Sequence, residues 1–102
     1  MSVYRFPPMK GLEGFTAREQ HRKIRSELSE AMNCEIRYRC GGRQDREERE
    51  NYGMELLDII HATETALRME FDADEIEELR AKVIEKNAKR GYYGGNDEKV
   101  IA

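Results

Sequence analysis

The chain has 102 residues, a net charge of −3, and equal shares, 38%, of apolar and charged residues. One domain fits in that length and two do not. The acidic balance disfavours a nucleic-acid polymer as partner. No apolar run approaches the roughly 18–20 residues of a membrane span, and no signal-like apolar segment opens the chain, so the cytoplasm is the expected location.

A chain this short buries a modest core, and oligomerisation or a bound metal is a common remedy. The charge is uneven: residues 1–46 carry ten Lys/Arg against six Asp/Glu, and residues 47–102 carry eight against fifteen. A basic first half can therefore meet an acidic second half, within one subunit or between two. Proline occurs only at positions 7 and 8, so nothing later is barred from helix on that ground. Cys34 and Cys40 are expected as free thiols, since a zinc site joining them to His21 would have irregular spacing.

Residues 1–15 form an arm without helical periodicity. Pro7-Pro8 favours an extended path, and Tyr4, Phe6 and Phe15 offer apolar anchors for docking on this domain or on a neighbour. Thr16 opens the first predicted helix, with Glu19 completing a capping box. Ile24, Leu28, Ala31 and Met32 follow as its apolar stripe, and Gly41-Gly42 stops it after about Arg39. Residues 41–46 read as a loop, with Asp45 and Glu48 as the next cap.

The second predicted helix runs to about Met69. Leu56 or Leu57, Ile60, Thr63 and Leu67 supply its stripe. Gly53 inside it costs about 1 kcal/mol relative to Ala, or permits a close helix contact. Asp72 caps the third helix with Glu75, and Phe71 and Ile76 form a hydrophobic staple around that cap. Ile76, Leu79 and Val83 continue its stripe, and Gly91 is the natural stop. Residues 92–102 are a tail. Three helices with short connections and no alternating strand pattern predict an all-α, antiparallel helical bundle, three main helices per chain, completed by homo-oligomerisation.

Two acidic pairs stand out. Glu27 and Glu30 lie three apart on the first helix, and Glu55 and Asp58 lie three apart on the second, a spacing that puts each pair on one face. Pairs at this spacing also arise by composition alone: Glu47/Glu50 and Glu75/Glu78 read as solvated faces. The first two differ in bordering apolar residues. Brought together on antiparallel helices, four carboxylates would repel, and a hard divalent cation relieves that repulsion. His61, three residues after Asp58, reads either as a neighbour of the acids or as an ordinary bundle histidine. Lys86, Asn87, Lys89 and Arg90 precede Tyr92 and Tyr93; basic residues suit a helix C-terminus, and they also suit phosphate oxygens. Arg18, Arg22, Lys23 and Arg25 read as one solvated face.

The order ELSE, a 24-residue spacer, ELLD, and then KVIEKNAKRGYYGG resembles the signature of the MazG-like all-α nucleotide pyrophosphohydrolases, over roughly residues 20–95. The resemblance assigns residues 16–91 to a MazG-like helical domain. It implies hydrolysis of a nucleoside or deoxynucleoside triphosphate to the monophosphate and pyrophosphate, a housekeeping task on the nucleotide pool. It further implies Mg²⁺, with Mn²⁺ as a substitute, held by Glu27, Glu30, Glu55 and Asp58, with Glu30 also acting on the attacking water. Lys86 and Arg90 would meet phosphates, Asn87 would make a polar contact, and Tyr92 would meet base or sugar. A homodimer or homotetramer is the expected assembly. The acid usually doubled at the start of the first motif is missing, since Ser26 precedes Glu27. The rival expectations are a phosphoribosyl-ATP pyrophosphohydrolase, which has a related acidic pattern, and a non-catalytic helical oligomerisation or binding module.

Overall fold

The computed structural model describes residues 3–40 and 46–94. They form three α-helices, α1 (Ala17–Cys40), α2 (Arg46–Glu70) and α3 (Ala73–Lys89), and no strand. Among the described residues no helix is long and apolar enough to cross a membrane.

Local chemistry sets the helix ends. At Thr16 the Glu19 amide donates to the threonine hydroxyl at 3.1 Å, and the Thr16 amide donates back to the Glu19 carboxylate at 3.1 Å. Asp72 and Glu75 repeat this box at 2.9 and 3.0 Å. Each box satisfies two amides that a helix start otherwise leaves bare. At the end of α3, Gly91 takes a φ of 74°. The Tyr92 amide then reaches the Asn87 carbonyl, and the Gly91 amide reaches that of Ala88. This pair of bonds is a Schellman closure, whose left-handed residue favours glycine. The expected Asp45 cap and the Gly41-Gly42 stop lie outside the described residues, as does the tail from residue 95.

α1 and α2 pack along each other, whereas α3 touches the pair only sparsely. Gln20, near the start of α1, donates from Nε2 to the Ala62 carbonyl of α2 at 2.8 Å. Arg37, near the end of α1, pairs with Glu48 in the first turns of α2 at 3.1 Å. The residues buried between them are Ala31, Cys34, Ala62 and Thr65, together with Gln20 and Glu27. Both cysteines are free thiols.

This packing corrects the expected apolar stripes. Leu28 and Met32 are 50% and 57% exposed, and Leu56, Leu57 and Ile60 are exposed as well, while Leu79 and Val83, though exposed, border a cleft shared with Tyr4, Leu67 and Ile76. Thr63 is exposed, while Ala31, Ile24, Leu67 and Ile76 turn inward as expected. The reason is steric: small side chains let two helices approach closely, so the contact forms along Ala31, Cys34 and Ala62 and the long side chains beside it stay outside. Gly53 gives no close contact, since a Cβ there would meet open space.

Among the described residues no large side chain is fully buried, and the accessible surface is 8484 Å². A compact monomer of this mass exposes about 6,000 Å². The radius of gyration is 16.5 Å, against about 13 Å for a compact domain of this length.

The arm lies over α2, held by its backbone. The Arg5 and Phe6 amides donate to the two oxygens of Glu64 at 2.9 and 3.0 Å, and Arg68 Nη2 donates to the Phe6 carbonyl at 3.0 Å. The Arg68 guanidinium also sits 3.6 Å from the centre of the Tyr4 ring.

Candidate functional site

The α1–α2 contact determines where the acids meet. Glu27 lies one turn after Lys23 on α1 and Glu30 about two turns after it, and Glu55 and Asp58 occupy the facing stretch of α2. One carboxylate oxygen from each of Glu27, Glu55 and Asp58 lies within 4.8 Å of the other two. Glu30 is exposed and reaches the Glu55 carboxyl from the rim of this cluster. The four acids expected to converge therefore do so as three together and one beside them.

The electrostatics of the cluster are unfavourable by themselves. Glu27 is only 8% exposed. Its Oε1 has Lys23 Nζ at 3.4 Å, but its Oε2 and the Oε2 of Glu55 are buried without a hydrogen-bond partner. Burial, first, and then the neighbouring Glu27 and Glu30 raise the Glu55 carboxyl from 4.5 to about 7. Buried polar oxygens of this kind are seldom left without a partner.

A hard cation suits this donor set. An octahedral Mg²⁺ at about 2.0–2.1 Å from its ligands spaces neighbouring oxygens by about 2.9 Å and opposite ones by about 4.2 Å. Three octahedral positions put at least two of the three oxygen pairs at the shorter spacing, so a spread of up to 4.8 Å closes by as much as about 2 Å around a bound ion. Carboxylate oxygens from two helices, with one side open, leave room for waters or phosphate oxygens, as Mg²⁺ prefers.

The cluster opens into a cavity of about 440 Å³. Glu27, Asp58 and His61 line one side, and Met9, Leu12 and Phe15 of the arm line the other. His61 does more than fill the bundle. Its ring stacks on Phe6 with centroids 4.8 Å apart and planes 17° off parallel, and its Nε2 is buried without a partner.

The basic segment stands elsewhere in the chain. Lys86 and Arg90 line a separate open depression with Lys82 and Lys89. Tyr92 is exposed, 5.9 Å from the Arg90 guanidinium to its ring centre, and Asn87 accepts the Tyr92 amide through its backbone carbonyl. None of Lys86, Asn87, Arg90 and Tyr92 lines the cavity beside the acids.

Sequence reasoning missed Gln20, Lys23, Glu64 and Arg68. Lys23 reads as part of a basic surface, yet it is the cation beside Glu27. Glu64 and Arg68 sit at the i, i+4 spacing of an ordinary surface ion pair, and nothing in that spacing reveals an arm above them. His21 is exposed, as are Glu47, Glu50, Glu75 and Glu78, in keeping with solvated faces. Comparison of the chain with known protein families, curated proteins and solved structures finds no match.

Proposed function

We propose that this protein hydrolyses a nucleoside or deoxynucleoside triphosphate to the monophosphate and pyrophosphate, using Mg²⁺ at the α1–α2 acids and working as a homo-oligomer. The observation that carries the reading is the pair of buried, unpartnered oxygens on Glu27 and Glu55, in a carboxylate cluster that opens onto a cavity. Carboxylate oxygens left without a donor, with Lys23 alone beside them, suit a further cation, and a cation held on carboxylates with an open side is suited to phosphate chemistry.

Glu27, Glu55 and Asp58 are the ligands in this reading, with Glu30 beside them. When bound, Mg²⁺ neutralises phosphate charge and acidifies water. Glu30, exposed at the rim, orients the attacking water and takes its proton. The water oxygen bonds to the α-phosphorus, the bond from that phosphorus to the bridging oxygen breaks, and pyrophosphate leaves. Lys86 and Arg90 supply further cations for the phosphates, Asn87 a polar contact, and Tyr92 a face for base or sugar.

Within one chain those cations stand apart from the acids, so the reading assigns them to α3 of a second copy. Supporting this are the exposed Leu28, Met32, Leu57 and Ile60, and a surface about 2,500 Å² larger than a compact monomer shows. A stable interface buries about 800 Å² per partner, well within that excess. The bundle is read as antiparallel, supported by the pairing of Gln20 with Ala62 and of Arg37 with Glu48.

The deciding experiment incubates the protein with Mg²⁺ and each common NTP and dNTP and measures pyrophosphate. Release that disappears in Asp58→Asn and in EDTA is the expected result. A folded sample that releases none across the panel, with no response to Mg²⁺, would leave a non-catalytic helical module in its place.

A further inference from the structure

We infer that Glu64 and Arg68 are positioning residues that clamp the N-terminal arm, and that the cavity wall held by this clamp receives the base and sugar of the nucleotide whose phosphates meet the acids. The inference rests on the proposed hydrolysis for the nature of its ligand.

The clamp is built from opposite charges one helical turn apart, both spent on backbone. Glu64 is 8% exposed and places its two oxygens on two successive arm amides, those of Arg5 and Phe6. Arg68 takes the Phe6 carbonyl and covers the Tyr4 ring. A carboxylate is the side chain suited to this, because both its oxygens accept and each bond is charge-assisted. Gripping amides and a carbonyl fixes the path of the arm whatever side chains it carries.

The grip extends to the cavity. Pro7 and Pro8 follow the clamped residues and restrict the backbone, so the position imposed at Phe6 carries on to Met9. A turn closed by the Phe15 amide on the Leu12 carbonyl then leads into α1, with Gly14 at a φ of 77°. Met9, Leu12 and Phe15 are thereby held over the cavity whose far wall carries Glu27, Asp58 and His61.

The cavity's character matches a nucleoside. Its volume, about 440 Å³, falls in the range of small-ligand sites, which are mainly apolar with a few polar groups. Met9, Leu12 and Phe15 give apolar cover for a planar ring. Lys10, Gln20 and Thr65 also line the cavity and give polar groups to meet a ring substituent. Because Glu27 and Asp58 belong both to the cluster and to the cavity wall, a ligand with its phosphates at the acids has its other end under the arm.

The test compares the intact protein with Glu64→Gln and Arg68→Met. The glutamine keeps the size of the side chain but turns one acceptor into a donor facing an amide donor. The methionine removes the charge and the bond to the Phe6 carbonyl. Two readouts are taken: steady-state kinetics on the preferred triphosphate, and NMR shifts on adding each deoxynucleoside without metal. The expected result is a rise of about tenfold in KM with a smaller change in kcat, an unchanged Mg²⁺-induced rise in Tm, and weaker deoxynucleoside shifts at Met9, Leu12 and Phe15. Should Glu64→Gln not fold, Arg68→Met carries the same comparison.

Hydrolysis with KM unmoved in the folded variants overturns the inference and leaves the proposed reaction standing. Arm-dependent deoxynucleoside binding without hydrolysis upholds the cavity assignment and overturns the reaction. Absence of both overturns both.

Discussion

Glu27 on α1 and Glu55 on α2 face one another with one buried, unpartnered carboxylate oxygen each. Folding has moved two carboxylates out of water without supplying donors for these oxygens, and on the proposed reading such a fold would gain from a cation. Mg²⁺ is therefore expected to raise the melting temperature and EDTA to lower it again. At 100 times Kd the linkage stabilises by about 2.7 kcal/mol, a shift on the order of 10 °C for a domain this small. A calorimetric titration that shows no shift at millimolar Mg²⁺ removes the cation from the account.

The same pair makes the metal-free protein sensitive to pH. Glu55 titrates at about 7 when folded, against 4.5 ordinarily, so the folded chain holds that proton more tightly than the unfolded chain does. Its contribution to stability therefore falls as pH rises from about 4.5 to about 7, and is flat on either side. Denaturation in EDTA at pH 5 and pH 8 measures the slope, and Glu55→Gln should flatten it. With Mg²⁺ present the trend reverses, because protons compete with the ion for the same oxygens.

Glu30 lies beside the three-acid cluster and not within it. Asp58→Asn and Glu55→Gln are expected to lower both activity and the Mg²⁺-induced stabilisation, activity by about 10²-fold or more. Glu30→Gln is expected to lower activity comparably while most of the stabilisation survives, since Glu30 lies outside the three-acid cluster. Equal loss of stabilisation in all three variants would make Glu30 a ligand only.

The outward apolar residues bear on assembly. Leu28→Glu with Met32→Glu should shift light scattering from an oligomer towards a 12.0 kDa species and reduce thermal stability. A native chain that already scatters as a single copy would contradict the assembly and, with it, the supply of cations from a second α3.

The caps give a control independent of function. Asp72→Ala should cost about 1 kcal/mol, within a range of roughly 0.5–2, by removing the carboxylate that accepts from the Glu75 amide. Gly53→Ala, with open space at its Cβ, should stabilise by about 0.5–1 kcal/mol. Urea denaturation measures both.

Much of this protein was legible one helical turn at a time. Thr16 with Glu19, Asp72 with Glu75, and Gly91 act through neighbours three to five residues away, so the sequence alone determined where α1 starts and where α3 begins and ends. It also determined that Glu27 with Glu30, and Glu55 with Asp58, share a face, since that is a property of helical pitch. The tertiary structure decided what those faces meet. Leu28 and Met32 are more apolar than Gln20 and Glu27, yet it is the latter that are buried. Helix contact is governed by how closely two backbones approach along small residues such as Ala31 and Ala62, and no ranking of hydrophobicity contains that distance. The clamp of Glu64 and Arg68 on the arm was beyond reach for a related reason: its partners are backbone groups 58–62 positions away, and a backbone amide leaves no mark in a sequence.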